Sequence, residues 1–118
     1  MIRLKRIYEP YDKEDGYRIL VDRLWPRGLS KEKAHVDVWL KEIAPTTELR
    51  KWFGHTPQKW EEFEKRYKIE LKDKTELVKQ VKDLEKDHKK ITLLYGARDT
   101  EHNEAVVLVD FLGKSSRE

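Results

Sequence analysis

Residues 18–25 read RILVDRLW, and the way this stretch is read decides the fold. A strand with one wet face alternates apolar and polar side chains. Ile19, Leu20 and Val21 are apolar without a break, which signals burial on both faces and a central place in a sheet. The run then ends abruptly in Asp22 and Arg23. A second stretch of this kind, ITLLYGA at residues 91–97, predicts another buried strand that ends at Gly96 and Arg98-Asp99. Residues 2–8, IRLKRIY, alternate apolar with basic and predict a first strand with one solvated face. Between the first two strands, PYDKEDGY at residues 10–17 is turn chemistry, tightest at Asp15-Gly16. A link this short suits a hairpin.

Helical signals fill the space between the second and third strands. Ser30 can cap a turn opening at Lys31. Val36, Trp39, Leu40 and Ile43 fall at i, i+3, i+4 and i+7, which predicts a short helix running to about Ile43 and stopping before Pro45. The alternation Val36, Val38, Leu40 also permits a strand. Thr46 or Thr47 caps a helix through Phe53, ended by Gly54. Thr56 before Pro57 opens the next, with Trp60, Phe63, Tyr67 and Leu71 as its apolar stripe. Thr75 opens another, with Leu77, Val78, Val81 and Leu84 inward. A last helix runs from about Thr100 to Leu112 and ends at Gly113. The long helical connection can return the chain for parallel pairing of strands two and three. The expectation is one α/β domain over residues 1–118, with a short, partly parallel sheet covered by several helices.

Composition narrows the function. At 118 residues the chain can bury a core of its own. It holds no apolar run of about 18 residues, so no membrane helix is expected. The opening MIRLKRIYE is too charged for a signal peptide. Cysteine is absent, which excludes disulfides, thiol chemistry and cysteine metal sites and fits a cytoplasmic location. Charged residues make up 42% of the chain yet the net charge is only +3, so the charges are interleaved on solvated helix faces. Many Lys and Glu beside one Met, no Cys and a single Asn give a thermophile-like composition. No glycine-rich dinucleotide loop, Walker loop or H-E-x-x-H segment is present, and no cofactor is implied. His35 and Asp37 lack a third ligand, so no metal site is assigned. His55, in FGHTP, reads as a loop residue between helices, and Trp39, Trp52 and Trp60 read as core.

If strands two and three are parallel neighbours, their carboxyl ends meet, and that edge is where open α/β sheets bind ligands. Strand two delivers Asp22, Arg23, Trp25 and Arg27 there. Strand three delivers Tyr95 and Arg98, followed by the N-terminus of the last helix, which favours anions. His102 and Asn103 stand at the head of that helix's inward stripe. The arginines suit a planar anion, because guanidinium binds it with two parallel hydrogen bonds. The ligand-binding candidates are therefore Arg23, Trp25, Arg27, Tyr95, Arg98 and Asn103. Asp22 and His102 are the acid/base candidates should there be catalysis. Each also has a plainer reading: a strand-end ion pair for Asp22 with its arginines, a helix cap for Asp99 or Thr100, a hydrogen-bonded core histidine for His102.

Two long segments carry a resemblance: DGYRILVDRLWPRG through KWFGHTPQKWEEFEKRYKIEL, and LLYGARDTEHNEAVVLVDFL. They resemble the DUF488 family in its YeaO-like branch, over nearly the whole chain. The resemblance implies a compact α/β fold and no established activity. The broader family has a D-V-R-x-x-P pattern where this chain has Asp22, Arg23 and Pro26. Its C-x-E and C-H-R patterns fall at Tyr95, Gly96 and Ala97 and at Asn103, Glu104 and Ala105. Both cysteines and the C-H-R arginine are missing here, so no thiol or metal role carries over.

Three functions follow as expectations. The first is binding of a small anionic ligand, phosphorylated or nucleotide-like, at the ends of strands two and three. The second is a nucleic-acid-binding module, in which Arg3, Lys5, Arg6, Arg18 and Lys31 form a basic patch. The third is a structural or partner-binding protein whose arginines only brace the sheet edge. The sequence does not fix an oligomeric state.

Overall fold

The computed structural model describes residues 1–113. Among them, four strands, β1 (Ile2–Arg6), β2 (Tyr17–Leu20), β3 (Val38–Trp39) and β4 (Ile91–Tyr95), form one sheet in the order β1-β4-β2-β3. Every pairing is parallel. Five α-helices accompany it: α1 (Lys31–Ala34), α2 (Thr47–Phe53), α3 (Trp60–Lys72), α4 (Thr75–His88) and α5 (Glu104–Phe111). The α/β class and the parallel pairing of the two apolar strands stand as expected. β4 lies between β1 and β2, with Leu93 opposite both Leu4 and Ile19. All five of its residues are buried, which is what a continuous apolar run requires.

The hairpin expected between the first two strands does not form. β4 takes the place between them, and β1 and β2 run in the same direction. Residues 7–16 instead carry the chain back to the start of β2. Lys5 Nζ holds that return by donating to the Pro10 carbonyl (2.7 Å) and to Asp15 (2.9 Å), and Thr92 Oγ1 donates to the Asp15 carbonyl (2.6 Å). Gly16 has φ +68°, and an added Cβ would lie 2.4 Å from the Lys90 carbonyl oxygen. Glycine is needed there because the strand starts back to back with the residue before β4.

The helix expected to reach Ile43 is also corrected. α1 ends at Ala34, His35 is left-handed (φ 50°), and Val38–Trp39 joins the sheet beside β2. Arg18 is the cause. Its fully buried guanidinium donates to the carbonyls of Ala34 (2.9 Å) and His35 (3.0 Å), which stops the helix. Its backbone N–H donates to Asp37 Oδ2 (2.8 Å). A tertiary contact thus overrides the helical spacing, and the alternation Val36, Val38, Leu40 prevails. α5 starts at Glu104 rather than Thr100, because Asp99 Oδ1 accepts from the N–H groups of Glu101 (2.9 Å) and His102 (3.0 Å) and holds a turn there.

Alternation along the strands sorts the core into two layers. Ile19, Val21, Ile91, Leu93 and Tyr95 share the larger one with Phe53, Phe63, Tyr67, Leu71, Val81 and Leu108 of the helices. Leu20 and Leu94 point the other way and meet Ile7, Ala34, Trp25 and Trp39. The predicted stripe Phe63, Tyr67, Leu71 is buried as expected.

Candidate functional site

The carboxyl ends of β2 and β4 lie together because the two strands are hydrogen-bonded neighbours. Val21 N–H still donates to the Leu94 carbonyl (3.1 Å), after which the chains separate. Asp22 then bridges the gap: its Oδ2 accepts from Gly96 N–H at 2.8 Å. A Cβ on residue 96 would stand 3.0 Å from that oxygen, so glycine lets the carboxylate approach the backbone. Trp39 Nε1 fixes the other side of the corner by donating to the Asp22 carbonyl (2.7 Å).

Beside this bridge lies a cavity of about 230 Å³. Its polar lining comes from Asp22 and Arg23 after β2, Arg50 on α2, His55 after α2, and Asn103 and Glu104 at the start of α5. Phe53 and Phe63 supply apolar wall. Arg23 is largely spoken for. Its Nε donates to the Pro45 carbonyl (3.0 Å) and its NH2 to the Ala44 carbonyl (3.1 Å), with Glu42 3.5 Å from NH1. Arg50 is different: its side chain makes no hydrogen bond or ion pair among the described residues. His55 follows Gly54, and both are left-handed (φ 56° and 52°). A non-glycine residue held there costs backbone energy and turns its side chain to a place a normal helix exit would not reach.

Glu104 carries the strongest electrostatic perturbation of the site. Burial, the nearby Asp22 carboxylate and a hydrogen bond between the two push its carboxyl well above the usual range, and Arg50 only partly opposes this. Two acids that share a site oppose each other's ionisation, which is the cause of the upward shift at Glu104 beside its burial. Tyr95, buried next to Asn103, has its phenol raised, first by burial and then by Glu9.

The candidates from the sequence divide accordingly. Asp22, Arg23 and Asn103 line the cavity. Asn103 does so as the cap of α5, with Oδ1 accepting from Val106 N–H (3.1 Å) and Nδ2 donating to the Asp99 carbonyl (2.9 Å). Trp25 packs edge-on to Trp39 on the far face of the sheet and donates to the Leu29 carbonyl (2.7 Å). Arg27 and Arg98 are exposed and lie outside the lining, although the Arg27 carbonyl accepts from Tyr8 Oη (2.9 Å). Tyr95 is in the core. His102 is half-buried outside the cavity, edge-on to Trp60, with Nδ1 2.9 Å from Asp99 Oδ2. Asp99 is held below its usual range, first by the Glu101 N–H and then by His102.

Arg50, His55 and Glu104 were not among the sequence candidates. The KWFGH segment held a signal for His55, since glycine before histidine at a helix end is an unusual exit. Arg50 and Glu104 looked like ordinary surface charges in a chain full of them. Among the described residues no three His, Asp or Glu side chains gather as a metal site would need. His35 stacks on Tyr11, and Asp37 is spent on β2.

The family model for the inactive DUF488-N3 subclade matches residues 1–118. The chain is 46% identical to the uncharacterized protein YeaO of Escherichia coli (strain K12), over 94% of this chain and 96% of that protein. It is 46% identical to the uncharacterized proteins Mb3100c of Mycobacterium bovis and Rv3073c of Mycobacterium tuberculosis, over 64% of this chain and 64% of each. No solved structure matches. With its whole length matched and a relative aligned end to end, the chain belongs to the DUF488 family, in its N3 subclade.

Proposed function

We propose that this is a cytosolic protein that binds a small phosphorylated, nucleotide-like anion in the cavity at the carboxyl ends of β2 and β4. The observation that carries the reading is Arg50, a guanidinium that makes no hydrogen bond or ion pair among the described residues, on the wall of a cavity at the ligand-binding edge of a parallel sheet. Arg23 adds positive charge next to it, and His55 supplies ring nitrogens. Binding without turnover agrees with the description of the subclade as inactive. The volume is on the small side of the roughly 300–1,000 Å³ of ordinary ligand pockets, which favours a compact ligand.

The basic-patch reading has less support. Arg18 is buried against Asp15, Lys5 is paired with the same carboxylate, and Arg6 donates to the carbonyls of Ala97 (2.8 Å) and Gly96 (3.3 Å). Three of the five cations of that patch are thus committed to the fold, and Arg3 and Lys31 remain exposed.

A thermal-shift series on the purified protein with phosphate, sugar phosphates and nucleotides tests the proposal, since a ligand of the folded state raises its melting temperature. A shift that disappears in Arg50→Ala and survives in Arg27→Ala is expected. No shift with any phosphate compound would sink it.

A further inference from the structure

The same cavity that offers the Arg50 guanidinium also holds two carboxyl groups, and a bare anion would meet both. A ligand that fits such a lining must be two-sided. One part carries negative charge for Arg50. Another part donates hydrogen bonds to oxygens that no protein donor fully satisfies. Asp22 spends Oδ2 on Gly96 N–H and shares a hydrogen bond with Glu104, which leaves carboxyl lone pairs of both residues to the cavity. Glu104, at the first position of α5, meets Asp22 and lies within Coulombic reach of Arg50. Gly96 N–H and the Arg50 guanidinium offset the pair only in part, and among the described residues no lysine lines the cavity. Phe53 and Phe63 complete the lining with apolar surface against which a ring's C–H face can pack.

We infer that the cavity selects hydroxyl-bearing phosphate monoesters, a sugar phosphate or the sugar-phosphate part of a nucleotide, with the phosphate on Arg50 and the hydroxyls on Asp22 and Glu104. This rests on the anion-binding reading above and narrows it. Hydroxyls are the donors that suit two neighbouring carboxyl groups lining one cavity. A charged carboxylate accepts from a hydroxyl, while a protonated one can also return a hydrogen bond to it. A divalent cation is the weaker occupant, because Arg50 already places a positive charge close to the same carboxyls. The groups that face Glu104 are Asp22, Arg50, Tyr67 and Tyr95, together with His55 in the lining, so the pair sits in an environment of mixed charge rather than an acidic patch.

Isothermal titration of the full chain with ribose 5-phosphate and with butyl phosphate separates the two ends of the ligand. The two esters share the phosphate and differ in the hydroxyls. The wild-type protein is expected to bind ribose 5-phosphate about tenfold or more tightly than butyl phosphate, the gain of one or two hydrogen bonds to a charged acceptor. That preference should collapse toward unity in Glu104→Ala and in Asp22→Asn, with butyl phosphate affinity unchanged or improved. Arg50→Ala should weaken both esters alike. Equal affinity for the two esters in the wild type would overturn the hydroxyl reading and leave anion binding intact. A preference that survives in both carboxyl variants, each checked for a cooperative melt, would also overturn it. Failure of the protein to bind either ester would remove both readings together.

Discussion

Arg23 is occupied before any ligand arrives. Its guanidinium holds two carbonyls, those of Ala44 and Pro45, at the entry to α2, and removal would leave both without a donor in a half-buried place. Arg23→Ala is therefore expected to cost about 2 kcal/mol in urea denaturation, whereas exposed Arg27→Ala should stay within about 0.5 kcal/mol. Equal losses would mean that the sheet edge does not depend on Arg23. Glu104 makes the opposite prediction. A carboxyl whose folded pKa lies above its unfolded value favours the protonated chain. As pH rises, the unfolded state ionises first, and the penalty on the folded state grows until Glu104 itself ionises and stays constant beyond. The penalty is absent below about 4.5, the ordinary value of a glutamate, and present above it. Glu104→Gln should thus raise stability at neutral pH, and the gain should vanish near pH 4. Melting curves of both proteins from pH 4 to 8 check this, and a gain independent of pH would contradict it.

At the scale of elements, the strands and long helices were legible because their signals are local. The apolar run Ile19–Val21 and the largely apolar Ile91–Tyr95 announced two buried parallel neighbours, and the Phe63-Tyr67-Leu71 stripe announced α3. The departures have one kind of cause, a contact made by a residue distant in sequence. Arg18 ends α1 and directs residues 38–39 into the sheet, and β4 separates β1 from β2. The site followed the same rule. The strand end at Asp22 could be read from the chain, but Arg50 and Glu104 reach it only through the packing of α2 and α5. Gly16 is the joint where the return from β1 meets β4. An alanine there must take a positive φ and push into the Lys90 carbonyl. Gly16→Ala is expected to cost about 3 kcal/mol, while Gly113→Ala, whose Cβ would meet nothing within 4 Å, should lose only the cost of its own φ of +74°. Comparable losses at both sites would show that backbone strain, not the close approach to Lys90, sets the penalty at Gly16.

Across the whole molecule, cohesion depends on a strand that arrives late in the chain. β4 pairs with β1 across nearly the full sequence, Ile2 opposite Ile91, and with β2 on its other side, Tyr17 opposite Ile91. Without it β1 has no neighbour, and both core layers lose their centre, since Leu93 belongs to one and Leu94 to the other. The edge at β3 is different. It contributes two residues, half-buried Val38 and Trp39, held to β2 alone. Pairings this distant close slowly and open only when the molecule as a whole opens, while a short edge can detach by itself. Native-state hydrogen exchange should therefore find the amides of Leu93 and Leu94 exchanging only through global unfolding, with a free energy equal to that from urea denaturation. The amide of Leu40, which donates to Leu20 across the β2–β3 edge, should exchange at a lower free energy that urea hardly changes. If Leu93 and Leu40 share one free energy, the edge and the centre unfold as a single unit, and the β3 segment is as firmly built into the sheet as β4.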